Sequence, residues 1–400
     1  MTQFDTELKR RLDTIREQGL FRDLRRVDSA QGPRIEIGGR TLLSFSSNDY
    51  LGLANHPAIK EAAIKATEKF GAGAGASRLI CGSLAPFHEL EETLAAFKGT
   101  EAALTFSTGY ATAVGTITAL LGKDDIIIVD KLVHASIVDA AKLSGAKLRV
   151  FAHNDLDDLE SKLRWAFSRT GVTQHATRNT LIVTESVFSM DGDCAPLREI
   201  VVLKEQYGAW LMVDEAHATG LYGANRRGLA EELGVSDRVE IQMGTLGKAL
   251  GASGGYICGS RALVDFLINR ARSFIFSTAP VPAAAAAATA GIRLVQSIEG
   301  QERNNKVWDL ANLLEHAAHS VGVGISAPDS LIMPIIVGDE TKTVEAATNL
   351  RTCGFFVPAI RYPTVARGSA RLRITLTAAH SNNDVGALVS ALGEIVNRKS

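Results

Sequence analysis

Residues 125–151 read DIIIVDKLVHASIVDAAKLSGAKLRVF and contain two short apolar runs on either side of a helical pattern. We predict strands at DIIIVD (125–130) and KLRVF (147–151), joined by a helix over His134–Leu143. Apolar runs of this length are typical of strands that are buried on both faces, as in a parallel sheet. The segment therefore predicts a strand–helix–strand unit of an α/β protein.

The same alternation continues on both sides of this unit. Further strands are predicted at AALTF (102–106), TLIVTES (180–186), WLMVD (210–214), VEIQM (239–243) and GGYIC (254–258). Further helices are predicted at 109–121, 155–167 and near 197–206. Apolar runs that alternate with helices in this way indicate one large, mostly parallel sheet with both faces covered.

The two ends of the chain differ from this regular centre. An amphipathic helix is predicted over 5–26, and RIEI-GG-RTLLSF follows it, in which two glycines signal a hairpin turn. After an alanine-rich helical stretch at about 280–298, strands are predicted at LIMPIIV (331–337), FFVPAI (355–360) and ARLRITL (370–376). The remaining predicted helices are 57–70, 86–98, and those near 303–318, 340–351 and 383–397.

These patterns divide the chain into three expected parts. We predict an N-terminal helix and hairpin segment at 1–55, a large α/β domain at 56–295 and a smaller C-terminal α+β domain at 296–400.

Composition excludes several classes of protein. The 400 residues carry 43 basic and 44 acidic side chains, which argues against a general affinity for nucleic acid or an anionic membrane. The four cysteines, Cys81, Cys194, Cys258 and Cys353, are scattered, so we expect neither a metal site nor a disulfide framework. The N-terminus lacks a secretory signal and the chain lacks an apolar stretch of about 20 residues. We therefore expect a cytoplasmic protein.

Residues 242–256 read QMGTLGKALGASGGY and hold one lysine, Lys248, among glycines and other small residues. Glycine permits sharp turns and the close approach of another body. An amine held in such a segment could form a Schiff base with a carbonyl compound. Taken alone, however, the segment favours an ordinary glycine-rich loop with an exposed lysine.

Polar residues follow several of the predicted strands. Residues 107–110, STGY, follow AALTF and open a helix, which suits a bound phosphate or, more commonly, an ordinary N-cap. His134 follows DIIIVD, and it could either stack on a ring or be an ordinary polar residue at the surface. Asp214 and His217 follow the strand WLMV, and an acid at the end of a buried strand needs a cationic partner.

Lys248 follows the next strand along the chain after Asp214 and His217. Strand ends of an open α/β sheet form ligand sites, so we expect these groups to lie together. An amine for an aldehyde, an acid for a pyridine nitrogen and an anion site are what pyridoxal phosphate (PLP) requires. The sequence therefore indicates PLP as a cofactor.

Longer motifs make this interpretation more specific. The chain resembles the PLP-dependent α-oxoamine synthases, which have the aspartate aminotransferase fold (PLP fold type I), over about residues 22–380. The resemblance rests on SSNDYLGL (46–53), TESVFSMDGD (184–193), VDEAHATG (213–220), GTLGKALGASGG (244–255) and IFSTAPVP (275–282). The members most similar at FAHND (151–155), LIMPIIVGD (331–339) and AIRYPTVARGSARLRITLTAAH (359–380) condense L-alanine with a pimeloyl thioester.

The resemblance implies roles for individual residues. Lys248 is implied to form the Schiff base with the cofactor, and Asp214 to pair with its pyridinium nitrogen. His217 is implied to lie near the ring hydroxyl and His134 to stack on the ring. These four are the expected catalytic residues.

The same resemblance implies further contacts to the cofactor and the substrates. The remaining cofactor-binding residues are Ser189 at the ring oxygen, Gly109, Tyr110 and Thr245 at the phosphate, and Ser277 and Thr278 from the other subunit. The substrate-binding residues are Arg361 for the amino-acid carboxylate, with Arg22, Asn48 and Thr364. Glu185 also lies in a matched motif.

The implied partners are small molecules and a second copy of the chain. The pimeloyl group would arrive on coenzyme A or acyl carrier protein, and the active sites would lie at a homodimer interface. The alternatives within the group are 2-amino-3-ketobutyrate ligase, 5-aminolevulinate synthase and serine palmitoyltransferase. A PLP lyase or aminotransferase is a different reaction on the same fold, and a non-catalytic subunit is expected to lack Lys248.

Overall fold

The computed structural model describes residues 2–168, 179–325 and 328–397. The helices are α1 (Gln3–Glu17), α2 (Pro57–Phe70), α3 (Ala85–Lys98), α4 (Gly109–Leu120), α5 (Ala135–Ser144), α6 (Leu156–Ser168), α7 (Leu197–Tyr207), α8 (Leu229–Glu232), α9 (Arg261–Arg270), α10 (Arg272–Ile275), α11 (Pro282–Gln296), α12 (Ile298–Ser320), α13 (Glu340–Thr352) and α14 (Asn382–Asn397). The strands are β1 (Arg34–Ile37), β2 (Arg40–Ser44), β3 (Ala102–Phe106), β4 (Ile126–Asp130), β5 (Lys147–Phe151), β6 (Thr180–Glu185), β7 (Trp210–Asp214), β8 (Ile241–Thr245), β9 (Gly255–Gly259), β10 (Ile332–Gly338), β11 (Phe355–Phe356), β12 (Ala359–Ile360) and β13 (Ala370–Thr375).

A seven-stranded sheet forms the centre of the molecule, in the order β3-β9-β8-β7-β6-β4-β5. β9 runs antiparallel to its neighbours β3 and β8, and the other six strands run parallel to one another. In β4, Ile126 and Ile128 join the hydrophobic cluster on one face, whereas Ile127 and Val129 join the cluster on the other. This alternation confirms the prediction of a mostly parallel α/β sheet with both faces covered.

Two three-stranded sheets complete the described fold. β1 and β2 form the expected hairpin, in which Gly38 and Gly39 adopt φ angles of 58° and 74°. Positive φ at both central residues is the requirement of a type I′ turn. β11 adds to β2 in parallel, so the N-terminal hairpin shares a sheet with a strand from the C-terminal part. β10, β13 and β12 form the other sheet. The division of the chain into parts at 1–55, 56–295 and 296–400 stays a prediction.

Two elements differ from their predicted forms. The helix predicted over 5–26 ends at Glu17, because Gly19 adopts a left-handed conformation with φ of 66°. The single strand predicted at 355–360 is two short strands, β11 and β12, in different sheets. Pro358 lies between them and has no N–H with which to continue a ladder.

No helix in the described part of the chain has both the length and the apolar character that crossing a membrane requires.

Candidate active site

The carboxyl ends of β6, β7 and β8 bring the expected polar residues together. The sheet register pairs Glu185 with Asp214 and Asp214 with Met243, so the three strands end side by side. His217 follows β7, and Lys248 follows β8. Since parallel strands end at one edge of a sheet, the order of the strands alone places the lysine beside the acid.

Lys248 lies at the centre of a buried polar cluster. Its Nζ lies 2.7 Å from Nε2 of His217, whose Nδ1 lies 2.6 Å from the hydroxyl of Tyr50. Burial lowers the pKa of Lys248 to about 8, although Asp214 and Glu185 oppose this shift. Burial, with the charge of Lys248, also holds the pKa of His217 well below its usual range. The cluster therefore places a neutral imidazole beside an amine that loses its proton near physiological pH.

Two buried carboxyl groups accompany this amine. Asp214 accepts a hydrogen bond from the N–H of Ala216 at 2.9 Å, and Glu185 accepts one from the N–H of His134. Burial raises the pKa of both, that of Glu185 to about 8, where the neighbouring charge of Asp214 adds to the effect. Because two like charges repel strongly in a dry site, the pair favours an additional cation. A protonated ring nitrogen at Asp214 would meet that need.

His134 and Ser189 border the same cluster. His134 caps helix α5, and burial lowers its pKa below the usual value, although the charge of Asp214 opposes this shift. Ser189 lies in the loop after β6, and its carbonyl oxygen accepts a hydrogen bond of 2.6 Å from Nε of Arg373. The structure thus brings both expected residues to the edge of the sheet near Lys248.

The turn after β3 lies beside the lysine segment. The register aligns Phe106, Gly255 and Thr245 in one row. A Cβ on Gly255 would lie 2.8 Å from Cα of Gly109, so only glycine lets the start of α4 approach this closely. Within the described chain, the N–H groups of Gly109 and Tyr110 have no hydrogen-bond partner. The N-terminus of α4 is therefore open to an anion.

Ser277 and Thr278 lie next to this turn. They line a small surface pocket together with Ser107, and Thr278 forms an isolated bridge with Ser77. The structure therefore places both residues near the open end of α4 within one chain.

The expected substrate-binding residues divide between two places. Arg22, Arg361 and Thr364 line one cavity of about 410 Å³, and Arg25 and Arg351 line it as well. Burial and the charge of Arg25 lower the pKa of Arg351. The cavity is therefore strongly cationic and suits an anionic ligand.

Asn48 lies instead in the lysine cluster, together with two residues that the sequence analysis missed. Arg373 is 5% exposed, and two of its N–H groups lie 3.2 Å from Oδ1 of Asn48. None of the hydrogen bonds of Arg373 in the described chain goes to a carboxylate. Tyr50 is 1% exposed and bonds His217. Both residues stand in the quoted motifs, but only the packing of β13 on the loop after β2 shows their proximity.

A buried ion pair lies behind the turn that carries His217. Nζ of Lys98 donates to Oε2 of Glu215 at 2.6 Å, and Oε1 of Glu215 accepts from the N–H of Ala230 at 2.8 Å. A Cβ on Gly228 would lie 1.7 Å from Oε2 of Glu215, so this position requires glycine. Glu215, which follows Asp214 in the sequence, is thus neutralised by Lys98 rather than by Lys248.

The motif FAHND forms a second polar cluster at the same edge of the sheet. Nδ1 of His153 lies 2.9 Å from Asp130, and Nε2 lies 2.6 Å from Asp193. Burial opposes a charge on His153, but the two carboxylates outweigh burial and raise its pKa to about 10. Because Asp193 lies in the loop that carries Ser189, the imidazolium ties this loop to the end of β4.

Replacing His153 with glutamine tests this contribution through its pH dependence. A pKa raised on folding stabilises the protein fully below the unfolded value of about 6.5. The stabilisation is lost as the pH rises through about 10. The unfolding free energy of His153→Gln should therefore fall furthest below that of the wild type near pH 6, and the gap should narrow towards pH 10.

Denaturant titrations across this pH range measure that gap. His316→Gln serves as the control, because the His316 side chain is 80% exposed and should show almost no gap at any pH. A gap for His153→Gln that widens as the pH rises would contradict the assignment.

Comparison with known proteins identifies the family. Residues 40–392 match the family Aminotransferase class I and II. The chain is 47% identical over 384 residues to an 8-amino-7-oxononanoate synthase of Geotalea daltonii, covering 96% of both chains. It also matches a solved serine palmitoyltransferase with a PLP internal aldimine, with a TM-score of 0.90 and 28% identity, covering 100% of this chain and 99% of the other.

A solved 8-amino-7-oxononanoate synthase from Francisella tularensis matches as well, with a TM-score of 0.75 and 25% identity, covering 90% of this chain and 98% of the other. The aspartate aminotransferase fold and the resemblance to the α-oxoamine synthases are thereby confirmed. The chain belongs to the aminotransferase class I and II family and, within it, to the 8-amino-7-oxononanoate synthases.

Proposed function

We propose that the chain catalyses the PLP-dependent, decarboxylative condensation of L-alanine with a pimeloyl thioester in biotin biosynthesis. The products are 8-amino-7-oxononanoate, carbon dioxide and a free thiol. The observation that carries this proposal is the buried cluster of Lys248, His217 and Asp214 at the strand ends, in a chain 47% identical to an 8-amino-7-oxononanoate synthase.

The residues of the cluster fit the cofactor. Asp214 is 6% exposed and suits a pyridinium nitrogen, because a cation there would balance its buried charge. The open N–H groups of Gly109 and Tyr110, with Thr245 on the adjacent strand, suit a phosphate. When bound, PLP supplies an aldehyde that bonds an amine and a protonated ring that takes up the electron pair of a carbanion.

The residues of the chain orient the reactants and move the proton. With the cofactor bound, Asp214 would keep the ring nitrogen protonated, His217 and Ser189 would hold the ring oxygen, and His134 would cover one face of the ring. The amine of Lys248, whose pKa is about 8, removes the proton from Cα of L-alanine. After carbon dioxide leaves, the same amine returns a proton to that carbon. Ser277 and Thr278 of the other subunit would contribute to the phosphate site, as the family resemblance implies.

Two cationic places suit the anionic ends of the two substrates. Arg373 acts on the pKa of Lys248 and has no carboxylate among its hydrogen-bond partners, so we assign it the carboxylate of L-alanine. The family resemblance implies this role for Arg361, which lines the cationic cavity with Arg22 and Thr364. That cavity suits the distal carboxylate of the pimeloyl group.

The rival reactions use glycine or serine in place of L-alanine. The identity of 47% to an 8-amino-7-oxononanoate synthase, against 28% to a serine palmitoyltransferase, favours L-alanine. The pimeloyl group is proposed to arrive on either coenzyme A or acyl carrier protein, and the assay below distinguishes the two.

A product assay by mass spectrometry tests the proposed function. The purified enzyme, PLP and L-alanine are incubated with pimeloyl-coenzyme A or with pimeloyl-acyl carrier protein, and glycine or serine replaces L-alanine in parallel. We expect 8-amino-7-oxononanoate from L-alanine with at least one carrier. Turnover of glycine or serine instead, or of an amino acid without any thioester, would contradict the proposal.

Lys248→Ala is the matched negative control in that assay. We expect it to lose the absorbance of the lysine-bound cofactor and at least about 100-fold of the turnover, because general base catalysis contributes at least this much. Lys60→Ala, on the exposed face of α2, should retain both.

Arg373→Gln and Arg361→Gln separate the two carboxylate assignments. A hydrogen bond to a charged group contributes about 1.5–3 kcal/mol, so Arg373→Gln should raise the KM for L-alanine about 10- to 100-fold. Arg361→Gln should raise the KM for the pimeloyl thioester and leave that for L-alanine unchanged. Circular dichroism checks that both variants fold. The reverse pattern of KM changes would instead assign the L-alanine carboxylate to Arg361.

We also propose that the enzyme is a homodimer. The loop before α3 and the segment after α10 expose large apolar side chains near Ser277 and Thr278, and Ile80 is 79% and Phe276 is 70% exposed. Exposed apolar patches of this kind mark protein interfaces.

We also propose a cytoplasmic location, because the four cysteines are free thiols. Recovery of the enzyme in an extracytoplasmic fraction would contradict this location.

Light scattering tests the homodimer. The wild type should have twice the mass of one chain, and Phe276→Asp should shift the population towards monomer, because a buried unpaired charge destabilises an interface. Ile336→Asp, on β10 and 58% exposed in the wild type, is the control and should stay dimeric. A monomeric wild type with full activity would refute the proposal.

A further inference from the structure

A continuous chain of hydrogen bonds runs from a guanidinium to the amine of Lys248. Arg373 contacts Oδ1 of Asn48 with two N–H groups at 3.2 Å, and the same oxygen lies 3.3 Å from the hydroxyl of Tyr50. The Tyr50 hydroxyl lies 2.6 Å from Nδ1 of His217, and Nε2 of His217 lies 2.7 Å from Nζ of Lys248. Each member of the chain therefore touches the next.

The first member of this chain limits the hydrogen bonds that can follow. A guanidinium has only donors, so Asn48 must turn its carbonyl oxygen towards Arg373, and two N–H groups occupy that oxygen. The Tyr50 hydroxyl has a single proton, which must point towards an acceptor.

Two acceptors lie within reach of the Tyr50 proton, and they are not equivalent. Oδ1 of Asn48 lies 3.3 Å away and already accepts two hydrogen bonds. Nδ1 of His217 lies 2.6 Å away, a distance typical of a strong hydrogen bond. Burial raises the pKa of Tyr50 to about 12, so its proton is present at physiological pH. The hydroxyl therefore donates to His217.

A neutral imidazole has one N–H group and one acceptor nitrogen. Burial and the charge of Arg373 keep His217 neutral. Since Nδ1 accepts from Tyr50, the proton of the ring must lie on Nε2, the nitrogen that faces Lys248. Lys248 must then accept this proton in a hydrogen bond, which only its free amine form can do.

We propose that Tyr50 is a positioning residue that fixes His217 in the tautomer protonated at Nε2, so that His217 donates a hydrogen bond on the side of Lys248. This inference rests on the proposed function for its catalytic consequence. The free amine is the form of Lys248 that reacts with an aldehyde. An N–H group on the same side also suits an oxygen substituent of a bound ring.

Nitrogen-15 NMR of the histidine side chains reads the tautomer directly, because protonated and unprotonated ring nitrogens resonate far apart. The full chain is labelled with ¹⁵N-histidine and measured before and after loading with PLP, and His217→Gln assigns the His217 signals. We expect a protonated Nε2 and an unprotonated, hydrogen-bonded Nδ1 in both states. Protonation of Nδ1 in the wild type, with or without protonation of Nε2, would overturn the proposal without any variant.

Tyr50→Phe then tests the source of the tautomer. We expect the Nδ1 signal of His217 to leave its hydrogen-bonded position, and kcat to fall about 2- to 10-fold, as for loss of one neutral hydrogen bond. Tyr222→Phe, which removes another buried hydroxyl that donates to the carbonyl of Asp329, should leave the His217 signals unchanged. An unchanged His217 spectrum in Tyr50→Phe would refute the role of Tyr50.

The NMR spectrum tests the role of Tyr50 and the product assay tests the proposed function, so one proposal can be rejected while the other stands. The tautomer of His217 does not depend on which amino acid or thioester the enzyme uses, so an unexpected product leaves this result intact. Conversely, 8-amino-7-oxononanoate formed by a wild type with a protonated Nδ1 would support the proposed function and reject the role of Tyr50.

Discussion

Burial of an amine and two carboxyl groups at one edge of the sheet is the constraint on which the rest of the structure depends. Asp214 and Glu185 are buried and Lys248 is half-buried, and the loss of water shifts the pKa of each towards its neutral form. A lone buried charge costs several kcal/mol, so the three groups are tolerable only in mutual proximity. Six parallel strands provide that proximity, because their carboxyl ends meet along one line.

The other charges at this edge are balanced within the protein. Lys98 neutralises Glu215 directly behind the His217 turn, and His153 bridges two carboxylates next to the loop of Ser189. Arg373 differs, because its hydrogen-bond partners in the described chain are carbonyl oxygens rather than a carboxylate. The uncompensated groups, a guanidinium and a buried carboxyl, therefore face the cluster where charged ligands are expected to bind.

The strands of the central sheet and the meeting of Lys248 with Asp214 could be predicted from the sequence, since apolar periodicity and strand order are local patterns. Tyr50 and Arg373 could not be predicted in this way. Asn48 contacts both of them, and it lies 325 residues before Arg373 in the chain. A contact over that separation leaves no periodic signal in the sequence. The strand predicted at 355–360 failed for a related reason, because its two halves pair with different partners.

The sequence by itself determined the α/β class, the succession of strands along the chain and the residue types that follow each strand, because these depend on neighbours along the chain. Only the tertiary structure decided that β9 runs antiparallel, that Arg361 lines a separate cationic cavity and that Arg373 lies in the lysine cluster. The same holds for the direction of the hydrogen bonds that reach Lys248. The physical reason is that burial, charge compensation and hydrogen-bond donors are properties of three-dimensional neighbours, which a linear pattern of residues does not specify.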